Sequence, residues 1–138
     1  MYERLLVAVD HSEVSARVLA AAKDLAALSK GKVWVLHLRE REIIDRMGQV
    51  PSESDAEAQQ AVKDGVRALI QAGIDAQGEV RETVFGHAAR EIVADAKEHD
   101  ADVIIMGSRG RSDFAGAILG STAHKVIHLA DRPVLVIR

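Results

Sequence analysis

Short continuous apolar runs alternate along this chain with longer stretches in which apolar residues recur every three or four positions. Leu5 to Val9, Val33 to Leu38, Val103 to Met106 and Val134 to Ile137 have the composition of strands covered on both faces. Val80 to Phe85 is a weaker run broken by charge, as expected at a sheet edge. Between the first two runs, Val14, Val18, Leu25 and Leu28 predict one face of a helix that begins at Ser12 or Glu13 and stops at Gly31. Ser52, with Asp55 three residues on, predicts the cap of a second helix through Ala61, Val62, Val66, Leu69 and Ile70 to Gly73. A third helix, His87 to His99, packs Ala88, Ile92, Val93 and Ala96, and a fourth covers Ser121 to Leu129. Arg39 to Pro51 is charged and without period, which reads as an insertion or mobile loop.

Strands separated by helices require parallel pairing through right-handed crossovers, so the pattern predicts a doubly wound α/β sheet of five parallel strands with helices on both faces. No internal repeat or low-complexity tract interrupts it, and one domain is expected over 1–138. In such sheets ligands sit beyond the carboxyl ends of the strands, where the strand order reverses.

The chemistry-bearing residues cluster at one such strand end. Gly107-Ser108-Arg109-Gly110 follows the run ending at Met106, and Gly120-Ser121-Thr122 opens the last helix. Glycines after a strand permit positive φ and close approach of backbone to a ligand. A Gly-Ser-Thr helix entry offers unpaired N–H groups, hydroxyls and the positive end of the helix dipole, which together suit an anion. The segment reads as a nucleotide site. Neither familiar phosphate loop is present. The turn after the first strand, Asp10-His11-Ser12-Glu13, has no glycine, and the only Gly-Lys pair, Gly31-Lys32, continues into Val33.

Gly107, Gly110, Gly120 and Ser121, spaced as Gly, two residues, Gly, nine residues, Gly-Ser, resemble the ATP-binding pattern of the universal stress protein family. Leu5-Leu6-Val7-Ala8-Val9-Asp10-His11-Ser12 resembles that family's first strand and its Asp-x-Ser turn. Lys32 to Leu38, with His37 near its end, resembles the second strand, and Arg132 to Ile137 the closing one. The resemblance spans nearly the whole chain. It implies strand order 3-2-1-4-5, which puts the reversal between strands ending at Asp10 and Gly107. It implies ATP as the ligand, with magnesium or manganese held by the phosphates. It further implies that Ala8, Val9 and Asp10 line the base or ribose end, that the backbone near Leu38 meets the adenine, and that Met106, Gly107, Arg109, Gly110, Gly120, Ser121 and Thr122 complete the site. Arg109 departs from the pattern, since many relatives carry His there; a guanidinium at that position either adds a bidentate phosphate contact or extends into solvent with Arg111. A homodimer joined antiparallel through Val134, Leu135, Val136 and Ile137 is implied as well.

Bulk properties narrow the field. The 138 residues contain 18 Lys+Arg against 21 Asp+Glu and no cysteine, a net charge of −3. That balance gives no footprint for nucleic acid, and the chain has neither a disulfide framework nor a thiol nucleophile. Met1-Tyr2-Glu3-Arg4 leads straight into a strand, and no apolar stretch reaches membrane-spanning length. The expected setting is the cytoplasm, without membrane contact.

The remaining polar residues fit background roles. His124 and His128 stand four apart on the last helix, the spacing of two metal ligands, yet no third ligand follows and they read as helix surface. Asp113 reads as a solubilising loop residue. His11, His37, His87 and His99, taken singly, earn no catalytic role. The chain shows no nucleophile elbow, no paired carboxylates on neighbouring strand ends and no base aimed at a γ-phosphate. The first expectation is therefore a nucleotide-binding stress sensor or switch. A weak ATPase or phosphotransferase in the same cleft, and a dimerisation module holding AMP or nothing, stand as alternatives.

Overall fold

The computed structural model describes residues 1–44, 48–51, 53–109 and 119–138. Its centre is the pair β1 (Arg4–Val9) and β5 (Val103–Gly107), parallel neighbours with Leu5 opposite Val103 and Val7 opposite Ile105. Alternation along β1 divides the core between the two sheet faces. Leu5, Val7 and Val9 pack on one face with Val14, Val18, Ala22 and Ala26 of α1 (Val14–Ser29) and with Leu69 of α2 (Asp55–Gln71). Leu6, Leu36 and Ile104 pack on the other with Ile92, Val93 and Ala96 of α3 (Ala88–Glu98) and with Ala123 and Val126 of α4 (Ser121–Leu129). Leu6, Val7, Val35, Leu36, Ile104 and Ile105 are wholly excluded from solvent, as strands covered on both faces require.

The parallel strands run in the order β4 (Asp75–Val84), β2 (Lys32–Ile44), β1, β5, β6 (Val134–Ile137). This is the expected doubly wound order, with one addition. A sixth strand, β3 (Gly48–Pro51), pairs antiparallel with the end of β2. The Arg39–Pro51 segment, expected to be irregular, is thus largely strand among the described residues. Arg39 stands directly opposite Glu82 on β4 and pairs with it at 2.9 Å, and Arg41 reaches the same carboxylate. Charges that looked like loop composition are cross-strand ion pairs on an extended ribbon. Arg41 is in register with Val84 on one edge of β2 and with Pro51 on the other, so β3 continues the sheet where β1 has ended.

Three other boundaries shift. β4 begins at Asp75, five residues before the apolar run, where Asp75 to Gly78 pair with Lys32 to Val35 of β2; a Cβ on Gly78 would stand 2.6 Å from the Val35 carbonyl and 2.8 Å from Val62 Cγ1 of α2. The α1 stripe turns toward Ala22 and Ala26, whose small side chains bring the helix close to the sheet, and leaves Leu28 exposed. The cap of α2 is Ser54, whose Oγ accepts from the Glu57 N–H at 3.1 Å while the Glu57 carboxylate returns to that hydroxyl. Ser52 lies outside the described residues.

Candidate functional site

From β1 the chain crosses to β2, and from β5 it crosses the opposite way to β6, so the order reverses between β1 and β5. A cavity of about 530 Å³ opens at their carboxyl ends, a size suited to a small-molecule ligand. Ala8, Val9 and Asp10 line it from β1, and Leu38 from β2. Met106 and Gly107 line it from β5, Arg109 from the turn after it, and Ser121 and Thr122 from α4. Gly120, the residue preceding α4, is buried and is not among the residues that line the cavity, and Gly110 and Asp113 lie outside the described residues.

The β1–α1 turn is built by Asp10. Its Oδ1 accepts the Ser12 N–H at 2.7 Å, an Asx turn, and faces the Ser15 hydroxyl at 2.9 Å. Ser15 Oγ in turn accepts from the Asp10 N–H at 2.8 Å. Asp10 therefore shapes the turn and does not cap α1, whose preceding residue Glu13 makes no side-chain cap.

Gly107 and Gly120, the glycines of the pattern among the described residues, do not take positive φ. Gly107 ends β5 without left-handed backbone; a Cβ on it would stand 2.9 Å from Val14 Cγ1, so its glycine character lets α1 approach the strand. Gly120 is extended, at φ −72° and ψ 164°. Its carbonyl accepts the His124 N–H at 3.0 Å, its own N–H donates to the Ser108 carbonyl, and it brings no capping side chain. The first N–H groups of α4 thus lack intrahelical acceptors beside Ser121, Thr122 and Ala123, all of which line the cavity. Lys125, one turn after Ser121, lines it too. The helical spacing of four carries that lysine to the Ser121 face.

Charge is divided across the cleft. Arg109, Lys125 and the α4 N-terminus stand on the β5 side. Asp10, Glu40, Glu42 and Glu53 stand on the side of β1, β2 and the turn after β3. Burial, then the carboxylates of Asp10, Glu42 and Glu53, hold the Glu40 carboxyl above the ordinary range, against the opposing pull of His37.

Reading residues singly missed one group. His11, His37 and Glu53 meet at the acidic end of the cavity. Nε2 of each histidine contacts one carboxylate oxygen of Glu53, and His37 Nδ1 lies 2.9 Å from the Val9 carbonyl. Glu53 and His37 are buried. The apolar context of His37 on β2 was the available signal; nothing in the sequence spacing placed Glu53 beside it.

Residues 1–138 as a whole match the profile of the universal stress protein family. The chain is 34% identical to universal stress protein YxiE of Bacillus subtilis (strain 168), with 100% of both chains covered. It superposes on a universal stress protein from Archaeoglobus fulgidus with a TM-score of 0.77 and 30% identity, covering 100% of both chains. A structure of the universal stress protein from Archaeoglobus fulgidus in complex with dAMP superposes with a TM-score of 0.76 and 28% identity, over 99% of this chain and 98% of that one. With this fold, this switch-point cleft and these matches over its full length, the chain belongs to the universal stress protein family.

Proposed function

We propose that the cleft binds an adenine nucleotide, with ATP as the physiological ligand, and that the protein acts as a nucleotide-dependent sensor or switch in the stress response. The observation that carries this reading is the division of charge within one cavity. Arg109, Lys125 and the N–H groups of Ser121 and Thr122 suit a phosphate chain, whereas Asp10 and Glu40 would repel one. The nucleotide is therefore oriented with its phosphates toward α4 and its base and ribose toward Ala8, Val9, Asp10 and Leu38. Asp10 Oδ2 makes no hydrogen bond among the described residues and suits a ribose hydroxyl. Magnesium or manganese would be carried by the phosphates. The dAMP complex of the Archaeoglobus fulgidus relative supports an adenine nucleotide. The reading includes a cytoplasmic setting and a homodimer through β6.

Calorimetric titration with ATP, AMP and GTP tests it, together with mass spectrometry of small molecules released on denaturation. ATP is expected to bind clearly better than GTP, with turnover far below the ~10 per second of a typical enzyme. Equal binding of ATP and GTP would show that the Ala8–Asp10 end does not read the base. Multiple-turnover phosphate release near the enzyme range would favour an ATPase.

A further inference from the structure

His11, His37 and Glu53 come from the turn after β1, from β2 and from the turn after β3, and are joined only by the tertiary fold. One ligand atom from each lies within 4.8 Å of the other two. The imidazoles meet edge to face, with ring centroids 5.0 Å apart, so both present Nε2 to the same carboxylate. A carbonyl oxygen only accepts, so Val9 holds the His37 proton on Nδ1 and leaves the lone pair of neutral His37 on Nε2, directed at Glu53. A lone pair on His37 Nε2 facing a buried carboxylate is compensated by a positive centre between the two, either a proton or a bound cation. An Nδ1–H bonded to a carbonyl is also the usual outer partner of a metal-ligating histidine. The Glu53 end is fixed likewise, because Arg39 Nε donates to the Glu53 carbonyl at 3.0 Å.

We propose that His11, His37 and Glu53 form a protein-held site for a divalent cation of the zinc class, at the end of the cleft away from α4. Two imidazoles and one carboxylate are the ligand set of three-ligand zinc sites, which keep a fourth position open. Here the open position faces the cavity, which all three residues line. Ligand atoms around zinc stand ~3.3 Å apart for bonds of ~2.0–2.1 Å, so binding separates Glu53 from the two Nε2 atoms it now touches. The site is distinct from any cation carried by a triphosphate and is independent of the nucleotide reading.

The test uses the full chain, stripped by chelator and free of nucleotide, titrated with zinc chloride by calorimetry and by competition with a chromophoric chelator. One equivalent is expected to bind. Affinity should fall at least about tenfold in His11→Ala and in Glu53→Gln, the scale on which even an outer partner of a metal ligand acts. His37 is buried and its loss can disturb the fold, so the partly exposed His11 carries the decision, with circular dichroism confirming that each variant is folded. Cobalt in place of zinc should give a visible absorption band that both variants lose. No zinc binding by the wild type would overturn the proposal and leave a proton-bridged cluster. Unchanged binding in both folded variants would overturn it as well and place the metal elsewhere, with His124 and His128 the next ligands to test. ATP affinity of the chelated protein is measured separately and can fail without affecting this result.

Discussion

The backbone N–H of Gly120 donates to the carbonyl of Ser108, and the N–H of Ser108 donates at 2.7 Å to the carbonyl of Ile137. These two bonds lock the start of α4 to the ends of β5 and β6. The helix N-terminus is therefore held beside the cleft before any ligand arrives, and a ligand spends little of its binding free energy on ordering it.

Ser121→Asp separates helix stability from anion binding, because the two respond with opposite sign. A carboxylate in the first turn of α4 favours the helix dipole by about 0.3–1 kcal/mol, so the thermal midpoint should hold or rise. The same charge repels phosphate at the cavity wall. ATP affinity should fall at least about tenfold, or about 1.4 kcal/mol. Calorimetry alongside a thermal melt reads both, and unchanged affinity in the stable variant would remove α4 from the phosphate site.

β6 is an edge strand with a directional consequence. Ile104 N–H donates to Pro133 O and Ser108 N–H to Ile137 O, so parallel alternation turns residues 135 and 137 toward β5. Val134 and Val136 then direct their N–H and C=O groups outward, beside the exposed Leu135. Val136→Pro removes one outward donor and leaves the β5–β6 ladder intact. Light scattering should show a dimer for the wild type and a monomer for the variant. Dimers of equal stability would place the interface on another surface.

Glu40→Gln should stabilise the chelated protein at neutral pH and lose that advantage in acid. The folded-state pKa of Glu40 lies above its unfolded value, chiefly through burial and then through the Asp10, Glu42 and Glu53 carboxylates. Stability linked to the bound proton is fully present below the unfolded pKa and is lost as pH rises through the folded one. Glutamine carries no charge at any pH. Urea midpoints of wild type and variant should therefore converge near pH ~4 and separate toward pH ~7. A constant difference across that range would show that the Glu40 charge is not opposed in the cleft.

Asp95 is fully buried and accepts from Trp34 Nε1 at 3.0 Å and from Arg81 at 2.7 Å. That pairing holds the Arg81 guanidinium above its usual pKa. Asp95→Ala leaves Trp34 Nε1 without its acceptor and should cost about 3 kcal/mol, the lower end for a broken buried pair because Arg81 keeps its bond to Glu98 and access to water. Asp95→Asn keeps an acceptor for Trp34 and should cost less. Trp34 is the only tryptophan, so its fluorescence follows each urea transition. Equal stability of wild type and Asp95→Ala would show that the buried carboxylate does not anchor α3 to β2 and β4.

The sequence by itself determined the α/β alternation, the doubly wound class and most of the cleft. Apolar periodicity reports burial directly: β1, β5, β6, α3 and α4 stand within a residue of where the pattern put them. Ala8, Asp10, Leu38, Gly107 and Ser121 share one cavity because strand ends and helix starts at a switch point must converge. The tertiary structure decided what depends on a neighbour distant in the chain. Arg39 and Arg41 look like loop residues until Glu82 stands across the ladder, and Asp75 to Gly78 become strand only against β2. A Cβ on Gly107 would crowd Val14, 93 residues away along the chain, more closely than the Arg109 carbonyl of its own turn. Glu53 meets His11 and His37 only because β3 folds the chain back over the end of β1. Local composition encodes burial and turn preference, whereas side chains from separate elements meet only when the fold sets their distance and orientation.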